Sequence, residues 1–183
     1  MTDSRTRLLD AAEELLWARG AGSTSPRAVL DLSGVGQGSL YHHFPTKTAL
    51  ARATLDRVVT RSLERATRDL AEPGPALQAV IAYLTRPRDG VKGCKIGRHA
   101  SDHFVMDSED LSEPVRRYFL DLHTAVRERL SSARETGSLP RGDVDDLADT
   151  VLATIQGGYV LARATGDQQH MDRAVRGLVS LLR

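Results

Sequence analysis

The chain has 183 residues, of which 40% are hydrophobic and only 4% aromatic, and its formal net charge is +1. This composition predicts one or two ordinary domains with a core of Leu, Val and Ala, and it excludes a strongly basic protein. The only cysteine, Cys94, excludes an intramolecular disulfide and a multi-cysteine metal site. The polar start and the lack of a long apolar stretch predict a soluble cytoplasmic protein without a membrane span.

The first 46 residues contain three short helical patterns. Apolar residues in Leu8–Leu16 fall on one helical stripe, and Gly20 predicts the end of that helix. Ser25 precedes a proline, which predicts an N-cap followed by proline at the first helical position. This second helix should end at Gly34. A third is predicted through Gln37–Tyr41, before Phe44 and Pro45.

The rest of the chain also predicts helices, with no alternation typical of β-strands. Thr46 predicts the N-cap of a long fourth helix, and Asp143 that of a later one. Further helices are predicted through Leu77–Leu84, near residues 96–105, from Glu113 to Gly137, over 144–164 and over 168–182. The sequence therefore predicts an all-α fold.

Two short helices joined by a glycine-containing turn fit a DNA-binding helix-turn-helix. Gly34 can adopt the left-handed conformation of the turn, and Val35 can fill the gap between the helices. Gly36 can cap the third helix at a cost of only a few tenths of a kcal/mol relative to serine. Gly38 has no side chain, so the start of this helix can lie close to a sugar-phosphate backbone.

Polar side chains around the third helix match the same function. Gln37 and Ser39 point outward at its N-terminal end, the part of a recognition helix that contacts base edges. Tyr41 and His42 offer O–H and N–H donors to phosphates. Lys47 adds a cation at the start of the fourth helix, where the helix dipole also attracts phosphate. The sequence thus predicts double-stranded DNA as a partner.

Residues 5–50 resemble the DNA-binding domain of the TetR family of bacterial transcriptional regulators. The resemblance rests on Leu8-Leu9-Asp10-Ala11-Ala12, Arg19-Gly20, Thr24-Ser25, Gly34-Val35, Gly38-Ser39-Leu40-Tyr41-His42-His43-Phe44 and Lys47-Thr48-Ala49-Leu50. It implies that DNA is contacted by Thr24, Arg27, Gln37, Gly38, Ser39, Tyr41, His42 and Lys47. Gly36 departs from the serine or threonine usual in the family, and Gln37 from a frequent lysine. Residues 1–47 hold five basic and five acidic residues, so the positive charge must be local to one face.

The resemblance implies a helix-turn-helix domain over residues 1–46 and a helical ligand-binding and dimerisation domain over 47–183. Gly157 and Gly158 interrupt a helical pattern at about 1 kcal/mol each relative to alanine, which a close helix–helix contact would offset. We expect a homodimer interface that includes Leu152, Gly157, Gly158, Leu161, Ala174 and Leu178. The alternative is that the two glycines pack within one protomer. The runs Gly93-Cys94 and Gln156-Gly-Gly-Tyr159 resemble one branch of the family.

A small-molecule effector is the third expected partner. Candidate lining residues are Tyr83, His103, Phe104, Met106, Phe119, His123, Gln156 and Tyr159, each of which could instead be ordinary core. Buried polar groups among them would orient a mostly apolar ligand. The predicted function is a dimeric repressor that binds a palindromic operator, needs no cofactor and is released by such a molecule.

Two other functions remain open from the sequence. His99 and His103 are four residues apart and could bind zinc or nickel on one helical face, with His123 nearby, in a metal-responsive regulator. Cys94 with a histidine could form the thiol–imidazole pair of an enzyme, although no nucleophile turn accompanies it, or it could act as a redox sensor. A purely structural helical dimer would leave the pattern around Gly38 without a purpose.

Overall fold

The computed structural model describes residues 3–139 and 142–183. Within these ranges the chain forms nine α-helices, one 3-10 helix and no strand, so the predicted all-α fold is confirmed. The helices are α1 Ser4–Arg19, α2 Pro26–Ser33, α3 Gln37–His43, α4 Lys47–Leu70, α5 Ala76–Thr85, the 3-10 helix Gly97–Ser101, α6 His103–Met106, α7 Glu109–Glu135, α8 Val144–Thr165 and α9 Gln169–Leu181. In this part of the chain no helix is both long and apolar enough to span a membrane.

The predicted helix starts rest on side-chain caps. The Ser25 hydroxyl accepts from the N–H of Ala28 at 3.2 Å, and Thr46 Oγ1 accepts from the N–H of Ala49 at 3.0 Å. The Asp143 carboxylate accepts from the first backbone N–H groups of α8, the nearer at 2.8 Å. Each cap satisfies a donor that the first helical turn leaves without a partner.

Helix α7 begins earlier than the sequence predicts, because an arginine compensates for a proline. The predicted start is at Glu113–Pro114, but the helix begins at Glu109 and includes Pro114. Proline has no N–H to donate to the carbonyl of Asp110, four residues before it. A guanidinium nitrogen of Arg52 donates to that carbonyl instead, at 2.7 Å. The helix therefore continues through the proline.

The single helix predicted near residues 96–105 is wrong in detail. A 3-10 helix ends at Ser101, and the extended Asp102 then caps α6 by accepting from the N–H of Phe104 at 3.1 Å. The break turns the two histidines apart, since the side chain of His99 is 2% exposed and that of His103 is 96% exposed. They do not share one helical face.

The Cα positions form two compact units. The first runs to Arg61 and includes Lys95–Tyr118, and the second comprises Ser62–Cys94 and Phe119–Arg183. We call them the N-terminal and C-terminal units. The helix-turn-helix thus shares its unit with the first part of α4 and with the 3-10 helix, α6 and the start of α7. The predicted boundary at residue 46 remains a prediction about function.

Each unit has its own apolar core. In the N-terminal unit, fully buried side chains include Leu8, Leu40, Leu55, Ile96 and Leu111. In the C-terminal unit they include Leu84, Leu122, Leu130, Val151 and Leu182. Burial of these side chains stabilises each helix against its neighbours, by about 1.5–3 kcal/mol for each large aliphatic group.

Candidate nucleic-acid interface and effector site

The turn between α2 and α3 has the geometry that its sequence predicts. Gly34 is left-handed with φ 62°, and its N–H donates to the carbonyl of Leu30 at 2.9 Å. Val35 and Leu40 are buried between the helices. Arg7 of α1 donates to the carbonyl of Ser33 at 2.6 Å, which secures the end of α2. These contacts hold the end of α2 and the turn that leads into α3.

The outer surface of α3 is bare at its N-terminal end. Gln37, Gly38, Tyr41 and His42 are all exposed. A Cβ atom on Gly36 or on Gly38 would meet no other atom within 4 Å, and neither residue has a positive φ. The packing of this chain therefore does not require glycine at either position. Two positions on this surface lack a side chain although packing within the chain does not require it. Their absence would let a partner approach the helix closely.

Arg5 lies beside the C-terminal end of α3 and was not among the DNA contacts predicted from the sequence. Its guanidinium lies 5.5 Å from the centre of the Phe44 ring, and its neighbour Ser4 contacts His43 at 3.0 Å. These contacts hold the first turn of α1 beside the C-terminal end of α3. Arg5 and Phe44 are separated by 39 positions, so no local pattern could have placed this cation beside the end of α3.

The two predicted DNA contacts around α2 differ in their accessibility. Thr24 is buried, and its hydroxyl donates to the carbonyl of Gly20 at 2.7 Å, so it already has a partner inside the protein. Arg27 is highly exposed and pairs with Asp31, one helical turn later, at 3.0 Å. An exposed pair of this kind is weak, about 0.3–0.5 kcal/mol, so Arg27 can exchange it for a phosphate.

Lys47 also has partners inside the N-terminal unit. Its Nζ atom donates to the carbonyl of Gly22 at 2.7 Å and lies 4.4 Å from the centre of the Phe104 ring. The structure thus brings a predicted phosphate contact together with a residue that was predicted to line the effector chamber.

The eight predicted effector residues are divided between the two units. His103, Phe104 and Met106 belong to the N-terminal unit, and both His103 and Met106 are exposed. The others belong to the C-terminal unit: Tyr83, Phe119, His123, Gln156 and Tyr159. Residue type alone could not separate these groups, since the sequence does not show which helices pack together.

Tyr83 is a core residue between two arginines. Its ring is buried, with the guanidinium of Arg86 at 4.7 Å and that of Arg88 at 5.0 Å from its centre. Arg88 also donates to the carbonyls of Tyr83 and Leu84, both at 2.7 Å. Burial, and then the nearby charge of Arg86, lower the pKa of Arg88.

Gln156 and Tyr159 of α8 form a polar cluster with Cys94. The amide nitrogen of Gln156 lies 3.8 Å from the Cys94 sulfur. Burial, and secondly the proximity of Cys94, raise the pKa of Tyr159 to about 12. Tyr159 therefore keeps its proton at neutral pH and can donate a hydrogen bond. His123 lies elsewhere in the unit, 3.6 Å from a carboxylate oxygen of Asp149.

A cavity of about 380 Å³ opens in the C-terminal unit between the end of α5 and the start of α9. It is lined by Leu84, Thr85, Arg86, Pro87, Arg88, Gln168, Met171, Asp172, Val175 and Arg176. None of the eight predicted effector residues lines it. The run Arg86-Pro-Arg-Asp-Gly90 reads as a plain loop in the sequence, so nothing local indicates that it borders a cavity.

The two central glycines of α8 have different surroundings. A Cβ on Gly157 would meet no atom within 4 Å, whereas one on Gly158 would lie 3.1 Å from the Met171 side chain of α9. Gly158 thus packs within the protomer, the alternative left open from the sequence. Leu178 is also buried inside the protomer, while Leu152 and Ala174 are half-buried.

Large apolar side chains are exposed on α8, one turn after Gly157, and at the end of α9. Val160 is 66% exposed, Leu161 is 49% exposed and Leu181 of α9 is 79% exposed. Val160 and Leu161 are three and four residues after Gly157, so they lie on its side of α8, and neighbouring exposed aliphatic groups are typical of an interaction surface.

Within residues 3–139 and 142–183, no group of three His, Cys, Asp or Glu side chains is placed to hold a metal ion. The orientation of His99 and His103 also removes the pair on which the metal-responsive alternative rested.

Comparisons with known proteins match both parts of the chain. Residues 8–54 match the family described as "Bacterial regulatory proteins, tetR family", and residues 75–178 match "Tetracyclin repressor-like, C-terminal domain". The HTH-type transcriptional repressor DhaR of Mycobacterium sp. (strain GP1) is 26% identical over 184 residues, covering 94% of this chain and 88% of that protein. The HTH-type transcriptional regulator UidR of Escherichia coli (strain K12) is 26% identical over 192 residues, covering 97% and 93%.

Solved structures agree with these sequence matches. A TetR transcriptional regulator from Chloroflexus aurantiacus superposes with a TM-score of 0.85 at 26% identity, covering 97% of this chain and 92% of that one. Reduced NemR of E. coli has the same fold, with a TM-score of 0.88 at 24% identity, covering 99% and 98%. The Cys94-dependent enzyme considered from the sequence has no support in these matches. The chain belongs to the TetR family of bacterial transcriptional regulators, which bind DNA through a helix-turn-helix and are not enzymes.

Proposed function

We propose that this protein is a cytoplasmic homodimeric repressor, which binds a near-palindromic operator through α3 and is released by a small, mostly apolar molecule. The observation that carries the proposal is the outer surface of α3. Packing within the chain does not require glycine at positions 36 and 38, and the exposed Tyr41 and His42, which carry hydrogen-bond donors, follow them.

DNA contact follows from the chemistry of this surface. Gly38 lets the helix lie close to the sugar-phosphate backbone, and Gln37 extends from its N-terminal end toward base edges. Tyr41, His42 and Arg5 supply donors and charge to phosphates. Since the first 47 residues have no net charge, affinity depends on these few groups rather than on a general positive field.

A homodimer is supported by the exposed apolar side chains of α8 and α9. Gly157 leaves room for a second helix, and Val160 and Leu161, one turn later on α8, supply apolar area beside it. Two protomers related by a two-fold axis would place their recognition helices on half-sites about 34–36 Å apart. The operator should therefore be nearly symmetric.

The effector would bind in the C-terminal unit. Its cavity is lined by the apolar Leu84, Met171 and Val175 and also by Arg86, Arg88 and Arg176. This lining suits a small, mostly apolar molecule that carries a polar or acidic group. Gln156 and Tyr159 offer a second location in the same unit. In either case the effector causes the protein to leave DNA only if it binds the form that cannot bind DNA more tightly than the form that can.

Selection of binding sites from random duplex DNA tests the proposed recognition of an operator by α3. We expect one palindromic site for the native protein. Gln37→Ala should change the preferred bases, whereas Tyr41→Phe should weaken binding to all sequences about equally, because phosphate contacts position and base contacts specify. Failure to recover any site, or an unchanged site with Gln37→Ala, would count against this use of α3.

Release of the protein from its selected site then locates the effector. A panel of small apolar molecules is screened for loss of the DNA complex by fluorescence anisotropy. Thr85→Trp, at an exposed position of the lining, obstructs the cavity, and Gln156→Leu removes the amide of the second location. The variant that abolishes release without changing DNA affinity identifies the site. If no molecule releases the protein, the proposed response to an effector fails.

A further inference from the structure

The ammonium group of Lys47 is held by two groups at once. It donates to the carbonyl of Gly22 in the α1–α2 loop, and it lies over the ring of Phe104 in α6, at 2.7 Å and 4.4 Å. The first distance is that of a good hydrogen bond and the second that of a cation–π contact. Lys47 is also the cation that the helix-turn-helix would present to a phosphate.

One carboxylate holds both of these partners in place. An oxygen of Asp102 accepts from the backbone N–H of Gly22 at 3.1 Å, and its other oxygen accepts from the N–H of Phe104 at 3.1 Å. The Asp102 side chain is only 14% exposed. It therefore fixes the loop that supplies the carbonyl and the helix that supplies the ring.

The α1–α2 loop packs tightly against Asp102 and Phe104. A Cβ on Gly20 would lie 2.9 Å from an oxygen of Asp102, and one on Gly22 would lie 3.1 Å from the other oxygen and 3.3 Å from the Cβ of Phe104. Any side chain at Gly22 would therefore push the segment away.

The 3-10 helix adds two further attachments to α1. Arg98 donates to the carbonyl of Trp17, and Lys95, just before the 3-10 helix, pairs with Glu13 at 2.6 Å. The segment 95–106 is thus seated on the DNA-binding helices at several points. All of them lie within the N-terminal unit.

We propose that α6 competes with DNA for Lys47. The ammonium must leave the Gly22 carbonyl and the Phe104 ring before it can contact a phosphate, so α6 in this position weakens DNA binding. Movement of α6 that withdraws Phe104 frees Lys47 and tightens binding. Phe104 then acts as a local inhibitor of the DNA-binding domain rather than as a wall of an effector chamber. This inference rests on the proposed DNA-binding function and on the phosphate contact that the sequence predicts for Lys47.

A double-mutant cycle tests the competition. Binding of the full-length protein to a random-sequence duplex is measured by fluorescence anisotropy at several salt concentrations. Phe104→Leu keeps an apolar side chain but removes the ring, and we expect it to lower Kd about twofold to fivefold per protomer. In the Lys47→Met background the same change should have no effect. Phe104→Tyr keeps the ring and should behave like the native protein.

Gly22→Ala provides a second, independent perturbation. Its φ is not positive, so alanine is compatible with the backbone, but the added methyl group displaces Asp102 and Phe104. It should tighten DNA binding in the same direction as Phe104→Leu, and thermal unfolding shows whether each variant remains folded. Equal effects of Phe104→Leu with and without Lys47, or weaker binding by both Gly22→Ala and Phe104→Leu, would overturn the proposal.

The salt dependence separates this proposal from the proposed function. Lys47→Met should reduce the slope of log K against log salt by about 0.9 per protomer, because one phosphate contact is lost. An unchanged slope means that Lys47 does not contact DNA, and the competition is then excluded even if the protein binds its operator. Absence of all DNA binding by the native protein contradicts the proposed function instead.

Discussion

The outer surfaces of α3 and α8 each contain a glycine with open space where a side chain would be. A Cβ on Gly38 or on Gly157 would meet no atom within 4 Å. Glycines that serve internal packing differ, since a Cβ on Gly90 would meet Gln168 at 2.8 Å and one on Gly158 would meet Met171 at 3.1 Å. A helical glycine costs about 1 kcal/mol relative to alanine, so the two open glycines lower stability without a compensating contact in the protomer.

The neighbours of the two open glycines indicate different partners. Gly38 is flanked by the polar Gln37 and Tyr41, whereas Gly157 is followed by the exposed Val160 and Leu161. Donors around a bare backbone suit phosphates, and aliphatic groups around a bare backbone suit another apolar helix. Glycine thus allows a partner to approach closely on both surfaces, and the side chains beside each glycine determine which kind of partner binds.

The largest expected effect is that of Gly157→Leu. Its side chain would occupy the space of a partner helix, so sedimentation should show monomers. Because two tethered recognition helices gain about 100-fold or more in affinity over one, operator binding should weaken by a comparable factor.

Gly158→Ala is the matched control for that experiment. Its added methyl group meets Met171 of the same protomer, so it should lower the free energy of unfolding by about 1–3 kcal/mol and leave the dimer intact. If Gly157→Leu remains dimeric, or if Gly158→Ala dissociates the dimer, the assignment of the outer surface of α8 fails.

A pH titration tests whether the interior, rather than either outer surface, sets the sensitivity to acid. His99 is buried and its Nδ1 atom has no hydrogen-bond partner. Burial, and secondly the charge of Arg98, lower its pKa to about 4, against a weaker opposite effect of Asp102. The unfolded chain therefore binds a proton from about pH 6.5 downward while the folded protein does not. This histidine's contribution to stability is complete above pH 6.5 and is lost as pH falls toward 4.

The expected loss is about 3 kcal/mol between neutral pH and pH 4, since each unit of pKa difference corresponds to about 1.4 kcal/mol. His99→Gln keeps a polar side chain without a titrating ring, so its stability should change less over this interval. Urea unfolding at several pH values measures the difference. An identical pH dependence in the two proteins would show that His99 is not the responsible group.

Gly38→Ala should change stability and DNA binding in opposite directions. Alanine stabilises a helix interior by roughly 0.5–1 kcal/mol relative to glycine. Gly38 is the second residue of α3 and no neighbour opposes the methyl group, so we expect a gain at or below the lower end of that range. The same methyl group would stand between α3 and the DNA backbone, so binding should weaken about tenfold, as for other overpacked contacts. Thermal unfolding and anisotropy measure the two effects. Unchanged DNA affinity would mean that this part of α3 does not approach DNA closely.

Sequence reasoning succeeded where structure depends on near neighbours. The caps at Ser25, Thr46 and Asp143 and the left-handed Gly34 act within three or four positions, so residue type and spacing predict them. The surface of α3 follows from the same local pattern. For this reason the bounds of the helices in the helix-turn-helix could be predicted closely.

Features that depend on distant partners could not be predicted. Arg52 supports the carbonyl that Pro114 leaves without a donor, and the two are 62 positions apart. Asp102 joins Gly22 across 80 positions. The effector residues were chosen by type, and type did not reveal that Tyr83 is enclosed by arginines. Pairs of charged and polar groups that are distant in the sequence can be identified only when the arrangement of the helices is known.

Asp31→Asn is expected to have the smallest effect, and it tests whether Arg27 contacts DNA. Arg27 is the predicted phosphate contact from α2, and its exposed pair with Asp31 must open before it can serve. Exposed pairs contribute about 0.2–1 kcal/mol, so Asp31→Asn should tighten DNA binding up to about fivefold at low salt. The gain should shrink as salt rises, because added ions screen both the pair and the phosphates. Asp31→Asn in an Arg27→Ala background separates release of Arg27 from simple removal of a negative charge. Tightening that persists there would assign the effect to charge alone, and tightening that disappears would place Arg27 on the DNA.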